Sequence, residues 1–252
     1  MAVVPASRRP DREQGIVETL LVVDGRPVEL EAHVARLGAS LAVLFGHRSP
    51  ADLDGAIRAR ARGISRGSLR VKAAPADGGE IETTIAIAEV DPELAFPAAP
   101  RSVAAHSLVL RGGLGAHKWA DRVLLDEAQS GLAADAVTLI VEWDGTVLEG
   151  SRGNAFAVSG EALVTPPADG RILPGITRAR TLEIATAAGL EVREAALTRD
   201  DLLRADEVFL TGSVRGVERV RALDGTQLPT GGEVSLRISA ELRRSWIQGP
   251  VG

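Results

Sequence analysis

The sequence contains no cysteine and no tyrosine. Without thiols there is no disulfide, no thiolate zinc site and no cysteine nucleophile. Without tyrosine, no phenolic hydroxyl can stand beside a ligand. Phenylalanine and tryptophan are scarce, whereas alanine, arginine and glycine are abundant, which reads as compositional bias rather than function. No apolar run approaches the roughly 20 residues that cross a bilayer. The N-terminal MAVVPASRRPDREQ lacks the apolar core of a secretory signal. The expectation is a soluble, cytoplasmic protein with no membrane partner. The net charge of −5, with no basic run or aromatic–basic patch, excludes a nucleic-acid partner.

What is present suffices for one large or two modest domains in 252 residues. Residues 1–14 are polar and proline-containing and are expected as a flexible arm. Ile16–Val23 and Pro27–Leu30 flank Asp24-Gly25 and read as a hairpin. Val34, Leu37, Leu41 and Leu44 share a helical face, and Asp52–Ala61 forms a second helix. Gly67–Ala74 and Glu80–Glu89 alternate as strands. These elements make a small N-terminal α+β domain over 15–101, ending in a Pro- and Ala-rich linker over 90–101. A larger domain over 102–252 follows, with strands at Ser107–Leu110, Ala136–Trp143, Asn154–Ser159, Ala162–Thr165 and Glu207–Thr211. Its helices are expected after Gly175 and near Val234 to Gln248.

One residue stands out chemically. Lys118 lies between the flexible Gly112-Gly113-Leu114-Gly115 and a helical apolar pattern of Val123, Leu124, Leu125 and Ala128. An amine partly desolvated there loses its charge more readily and becomes a nucleophile of the Schiff-base kind. Gly175-Ile176-Thr177 opens a helix whose free amides and dipole form an anion site, to which the Thr177 hydroxyl adds a donor. Gly212-Ser213, after an apolar strand, offers close backbone approach and another hydroxyl. Arg36 can grip a phosphate through two nitrogens. Glu149 ends a strand before a glycine turn, where a buried carboxylate can face a nitrogen heterocycle. A phosphate cup, an acid for a ring nitrogen and an amine are the needs of pyridoxal 5′-phosphate. No metal is called for.

In order and spacing, GIVETLLVVDG, HVARLGAS, HKWADR, EGSRGNAF, LPGITRAR and FLTGSVRGV resemble the fold-type IV pyridoxal-phosphate enzymes, the class IV aminotransferase family. The likeness runs from about Gly15 to Val220. It implies a D-amino-acid-aminotransferase-like fold: a small N-terminal α/β sandwich and a larger pseudo-barrel domain, with the cofactor in the cleft between them. It implies that Lys118 is the Schiff-base lysine and that Glu149 pairs with the pyridine nitrogen. Arg36, Ile176, Thr177, Gly212 and Ser213 would hold the phosphate, and Asn154 joins the cofactor-binding set. Members are commonly homodimers acting on small-molecule substrates.

Within the family the chain is most similar to aminodeoxychorismate lyase. His117 before Lys118, Arg122 four residues after it and the GIVETL opening are shared in character with those lyases. The absence of tyrosine removes a hydroxyl that many aminotransferases of the family use. Asp121 replaces an asparagine common among relatives. The resemblance therefore implies conversion of 4-amino-4-deoxychorismate to 4-aminobenzoate and pyruvate, with Arg111, Arg152 and Arg215 as candidates for the substrate carboxylates. The alternative is an aminotransferase using branched-chain or D-amino donors and a 2-oxo acid. A non-catalytic binding relative is a third class, against which Lys118 and Glu149 argue.

Overall fold

The computed structural model describes residues 2, 3, 9–88, 94, 95, 97–229 and 231–249. Positions 1 and 4–8 of the expected arm, and 90–93 and 96 of the expected linker, lie outside the described residues. The chain begins with β1 (Ala2–Val3) and continues through β2 (Ile16–Val23), β3 (Arg26–Pro27), α1 (Leu30–Phe45), α2 (Leu53–Ala61), β4 (Arg66–Pro75) and β5 (Ile81–Ala88). Then come β6 (Arg101–Val109), α3 (Val123–Ser130), β7 (Ala136–Val141), β8 (Thr146–Gly150), β9 (Gly153–Ser159), β10 (Ala162–Thr165) and α4 (Ile176–Ala187). The last elements are β11 (Glu191–Glu194), β12 (Leu197–Thr198), α5 (Arg199–Arg204), β13 (Glu207–Gly212), β14 (Gly216–Leu223), β15 (Thr226–Gln227) and α6 (Glu233–Gln248).

Packing divides the chain into two compact units. The larger comprises Met1–Arg9, Ala98–Ala116 and Val123–Arg244; the smaller comprises Pro10–Pro97, His117–Arg122 and Ser245–Gly252. The short run around Lys118 thus groups with the small unit rather than with the chain on either side of it.

In the small unit the antiparallel sheet runs β3-β2-β4-β5. Ile16, Leu20, Val22, Leu69 and Val71 pack against Leu30, Leu37, Leu41 and Ile57 of the two helices. Burial of that face supplies the driving force, at about 25 cal/mol per Å² of apolar surface. The β2–β3 turn is Asp24-Gly25 with φ of 48° and 74°, the positive values a two-residue hairpin needs. The strand expected over Pro27–Leu30 ends at Pro27. Glu29 enters the left-handed region (φ 53°) and Leu30 begins α1. Within the expected arm, Arg12–Gln14 form one 3-10 turn capped by the Asp11 side chain.

In the larger unit six strands, β9-β13-β14-β6-β7-β8, close on themselves because β8 also pairs with β9. The ring has no free edge. Its interior is filled by Val103, Val137, Leu139, Val141, Ala155, Ala157, Leu210 and Val220. Alternation along β14 also brings Glu218 inward, and it is buried. β1 pairs in parallel with Leu108–Val109 of β6. On the opposite face of β9 and β13, Phe156 and Phe209 stack at 5.1 Å, and α4 packs on β13 and β11. The architecture is the α+β arrangement, with a barrel in the larger part, expected from the sequence.

Candidate active site

The expected site residues fall in both units. In the small unit, His117–Arg122 runs along the start of β2. Val17 N–H donates to the Lys118 carbonyl at 2.8 Å, Ala120 N–H donates to the Gly15 carbonyl at 3.0 Å, and Ile16 bridges Trp119. Gly15 makes this possible. Its φ is +80°, and a Cβ there would stand 2.1 Å from the Ala73 carbonyl oxygen. Trp119 packs into the small unit's core. The Lys118 backbone is therefore held by β2 on either side of Ile16.

Beside it sits a buried polar cluster. Glu18, on the helix-facing side of β2, lies 2.7 Å from His33 Nδ1. It also accepts from Arg36 Nε at 2.8 Å and from Arg36 Nη2 at 2.6 Å. Burial would raise the Glu18 pKa, but the hydrogen bonds and charge of His33 and Arg36 outweigh it and bring the carboxyl down to about 2. Burial likewise pushes the His33 pKa down, against the pull of Glu18, and the Lys118 charge adds to that depression. A carboxylate only accepts, so His33 Nδ1 carries the proton. His33 Nε2 has no hydrogen-bond partner among the described residues. Arg36, expected to grip a phosphate, thus gives two of its nitrogens to Glu18. Glu18 and His33 were not among the candidates read from the sequence. Their signal was a carboxylate at the Ile16, Leu20, Val22 positions of an apolar strand, and a histidine three residues before Arg36.

The larger unit carries the other candidates. Glu149 on β8 is directly opposite Asn154 on β9, and both are buried. Leu173 N–H lies 3.3 Å from each Glu149 oxygen. Asn154 Nδ2 donates to Glu149 at 3.4 Å and to the Leu173 carbonyl at 2.9 Å. Three residues on, α4 starts at Ile176 with Gly175 as its N-cap and no side-chain cap. A Cβ at Gly175 would come within 1.9 Å of Asn154 Oδ1, so the helix start and the amide fit only through glycine. Thr177 Oγ1 donates to Ser213 Oγ at 3.3 Å. Gly212 and Gly153 allow the end of β13 and the β8–β9 turn to meet backbone to backbone; a Cβ on Gly153 would lie 2.4 Å from the Thr211 carbonyl. The neighbouring Thr211 hydroxyl is buried with no partner among the described residues.

These residues fit pyridoxal 5′-phosphate. An uncapped helix start with two hydroxyls suits a phosphate, and a buried carboxylate suits a protonated ring nitrogen. An orphaned hydroxyl nearby marks a place where the chain does not satisfy its own polar groups.

The three candidate substrate arginines have different surroundings. Arg152 Nε and Nη2 reach Glu218 at 3.0 and 3.2 Å, and Arg215 Nη1 reaches it at 3.4 Å. Glu218 points into one end of the barrel, so these two guanidiniums share its carboxylate there. Burial pushes the Arg215 pKa down, opposed by Glu218 and assisted by Arg152. Arg111 is exposed, and its carbonyl accepts from Arg9.

Residues 15–223 match the amino-transferase class IV family. A branched-chain-amino-acid aminotransferase of Salmonella typhimurium is 40% identical over 112 residues, a stretch covering 44% of this chain and 34% of that enzyme. The match therefore spans about a third of that relative's length. Among solved structures, a 4-amino-4-deoxychorismate lyase from Pseudomonas aeruginosa is 25% identical with a TM-score of 0.76, covering 96% of this chain and 97% of that one. A hypothetical aminotransferase from Mycobacterium tuberculosis, solved with α-ketoglutarate and PMP, is 27% identical with a TM-score of 0.78 and coverages of 94% and 89%. The chain belongs to the amino-transferase class IV family and has the fold-type IV architecture. Enzymes of this class depend on pyridoxal 5′-phosphate, and the M. tuberculosis protein is also known in a PLP-bound form. Among the described residues no helix is long and apolar enough to cross a membrane.

Proposed function

We propose that the protein is a pyridoxal-phosphate-dependent lyase that converts 4-amino-4-deoxychorismate to 4-aminobenzoate and pyruvate. The observation that carries the reading is the likeness to the Pseudomonas lyase across nearly the whole of both chains. Lys118 attaches the cofactor and moves the proton at the substrate carbon that bears the amino group. Glu149, supported by Asn154, holds the ring nitrogen protonated. The amides of Ile176 and Gly212, the hydroxyls of Thr177 and Ser213, and Arg36 hold the phosphate. When bound, the cofactor supplies an electron sink that acidifies that carbon. Loss of the proton is followed by cleavage of the neighbouring ring carbon–oxygen bond. The enolpyruvyl group leaves with its oxygen, the ring becomes aromatic, and enolpyruvate takes up a proton on its methylene carbon to become pyruvate. Substrate and products balance with no oxo-acid acceptor and no water. The Arg152 and Arg215 guanidiniums support the substrate side only if a carboxylate competes with Glu218; Arg111 carries no such commitment. The working form in this reading is a cytoplasmic homodimer.

A second reading, an aminotransferase for branched-chain or D-amino donors, is favoured by the 40% identity to the Salmonella enzyme. The two separate in one experiment. The cofactor-loaded protein is incubated with 4-amino-4-deoxychorismate alone and, in parallel, with amino donors plus 2-oxoglutarate or pyruvate, and products are weighed by mass spectrometry. The lyase reading expects 4-aminobenzoate and pyruvate without an acceptor. Amino transfer from the donor panel with no 4-aminobenzoate overturns it. In either case Lys118→Ala should reduce turnover by roughly 100- to 10,000-fold and abolish the borohydride-fixed mass of cofactor on the chain.

A further inference from the structure

The sequence stretches HVARLGAS and HKWADR touch through two residues that the proposed chemistry does not use. Ser40, the last residue of the first stretch, is buried on α1. Its Oγ lies 2.9 Å from Nδ1 of His117, the residue immediately before Lys118. Burial lowers the His117 pKa, favouring a neutral ring that can share one hydrogen with the serine hydroxyl. The same ring meets Trp119, the residue immediately after Lys118, edge-on at 5.8 Å and 78°. Trp119 in turn packs with Ile16 in the core. Both neighbours of the lysine are therefore tied to α1 and the small unit's core, while its carbonyl is tied to Val17.

We propose that Ser40 is a positioning residue for Lys118, acting through His117. The hydroxyl sets the orientation of the His117 ring. That ring and Trp119 then hold the Lys118 peptide against the edge of β2. A serine in the middle of a helix has low intrinsic value there, and a hydroxyl turned inward onto the lysine segment gives this one a purpose. Displacement of a reacting amine by about 1 Å can cost on the order of 100-fold in rate, so a modest loosening of this contact is measurable. The inference rests on the assignment of Lys118 as the cofactor-attaching residue.

The test uses Ser40→Ala and His117→Phe, the latter keeping an aromatic ring against Trp119. The first readout needs no cofactor: amide exchange of the Val17 and Ala120 N–H groups, compared with that of Leu69 in the middle of the sheet. Ser40→Ala should speed the first two by about tenfold and leave Leu69 nearly unchanged. The second readout is the pH midpoint of the visible absorbance that the cofactor gains on lysine attachment, which should move by half a unit or more. kcat should fall about tenfold with KM within about twofold. Ser40→Thr should restore both readouts. The double variant should go no further than either single one, because both remove the same contact. Faster exchange across the whole sheet, with an unmoved absorbance midpoint, would reduce Ser40 to a packing role and overturn the proposal. A cofactor that remains attached after Lys118→Ala would overturn the lysine assignment itself, and this inference with it.

Discussion

Two buried glutamates, one in each unit, are held in opposite ways. Glu18 receives short bonds of 2.6 to 2.8 Å from a guanidinium and an imidazole. Glu149 sits against the Leu173 amide and the Asn154 side chain at 3.3 to 3.4 Å. Both sets have an ionised acceptor, but only the first adds a cationic donor, and length weakens the second kind. A carboxylate locked by its own chain's cations is architecture. One whose bonds to the Leu173 amide and the Asn154 side chain are longer yields more readily to a ligand.

The comparison breaks most visibly in stability. Glu18→Ala leaves the Arg36 charge buried beside His33 and should destabilise the cofactor-free chain by about 3–5 kcal/mol in urea unfolding. Glu149→Gln should cost less than about 1 kcal/mol by the same measurement, yet weaken cofactor retention by roughly ten- to 100-fold, since in the proposed reading Glu149 is the charged partner of the ring nitrogen. Equal destabilisation by the two substitutions would erase the distinction drawn between the glutamates.

A middle-sized effect follows from acid titration. The Glu18 carboxyl is at about 2 in the folded chain, against an ordinary value of 4.5. Between those values the unfolded chain binds the proton and the folded chain does not, so stability rises with pH. The contribution is therefore complete above pH ~4.5 and is lost as pH falls toward 2. In size it is roughly 3 kcal/mol. Burial depresses the His33 pKa too, so His33 acts in the same direction, beginning to oppose folding as pH drops below about 6.5. Glu18→Gln should flatten the profile of unfolding free energy between pH 5 and pH 2. A wild-type profile already flat there would mean that Glu18 is not held as an anion.

Much of this organisation was legible in the chain itself, and the parts that were not share a cause. Local rules placed the Asp24-Gly25 hairpin, the α1 face of Leu37 and Leu41, and the glycine start of α4, because each depends on residues within one or two turns. The order and spacing of the motifs pointed to the family. Alternation in β2 was read as one apolar strand, and Glu18 passed unnoticed in it. Its partners lie 15 and 18 residues away on a helix, a pairing that appears only when α1 folds back. The partner of Arg152 is Glu218, 66 residues distant, and it exists because β8 closes the ring onto β9. Nor could spacing tell that His117–Arg122 would join β2, since that contact is made by backbone groups alone, which every residue possesses.

The smallest expected effect probes an unpartnered hydroxyl in the larger unit. Thr211 shares a sheet face with Asn154 and Phe209, and its hydroxyl is buried without a partner among the described residues. An unmatched buried hydroxyl forfeits its hydration and gains nothing in return. Valine has nearly the same shape and no such group to desolvate. Thr211→Val should therefore leave the cofactor-free chain unchanged or stabilise it by about 1 kcal/mol, which for a chain of this size raises Tm by roughly 2–4 °C. Thr165→Val is the control, because that buried hydroxyl donates to the Ala155 carbonyl at 2.7 Å, and its loss should destabilise by about 1–3 kcal/mol. If both substitutions lower Tm alike, the Thr211 hydroxyl has a partner in solution, and the slack attributed to this end of β13 does not exist.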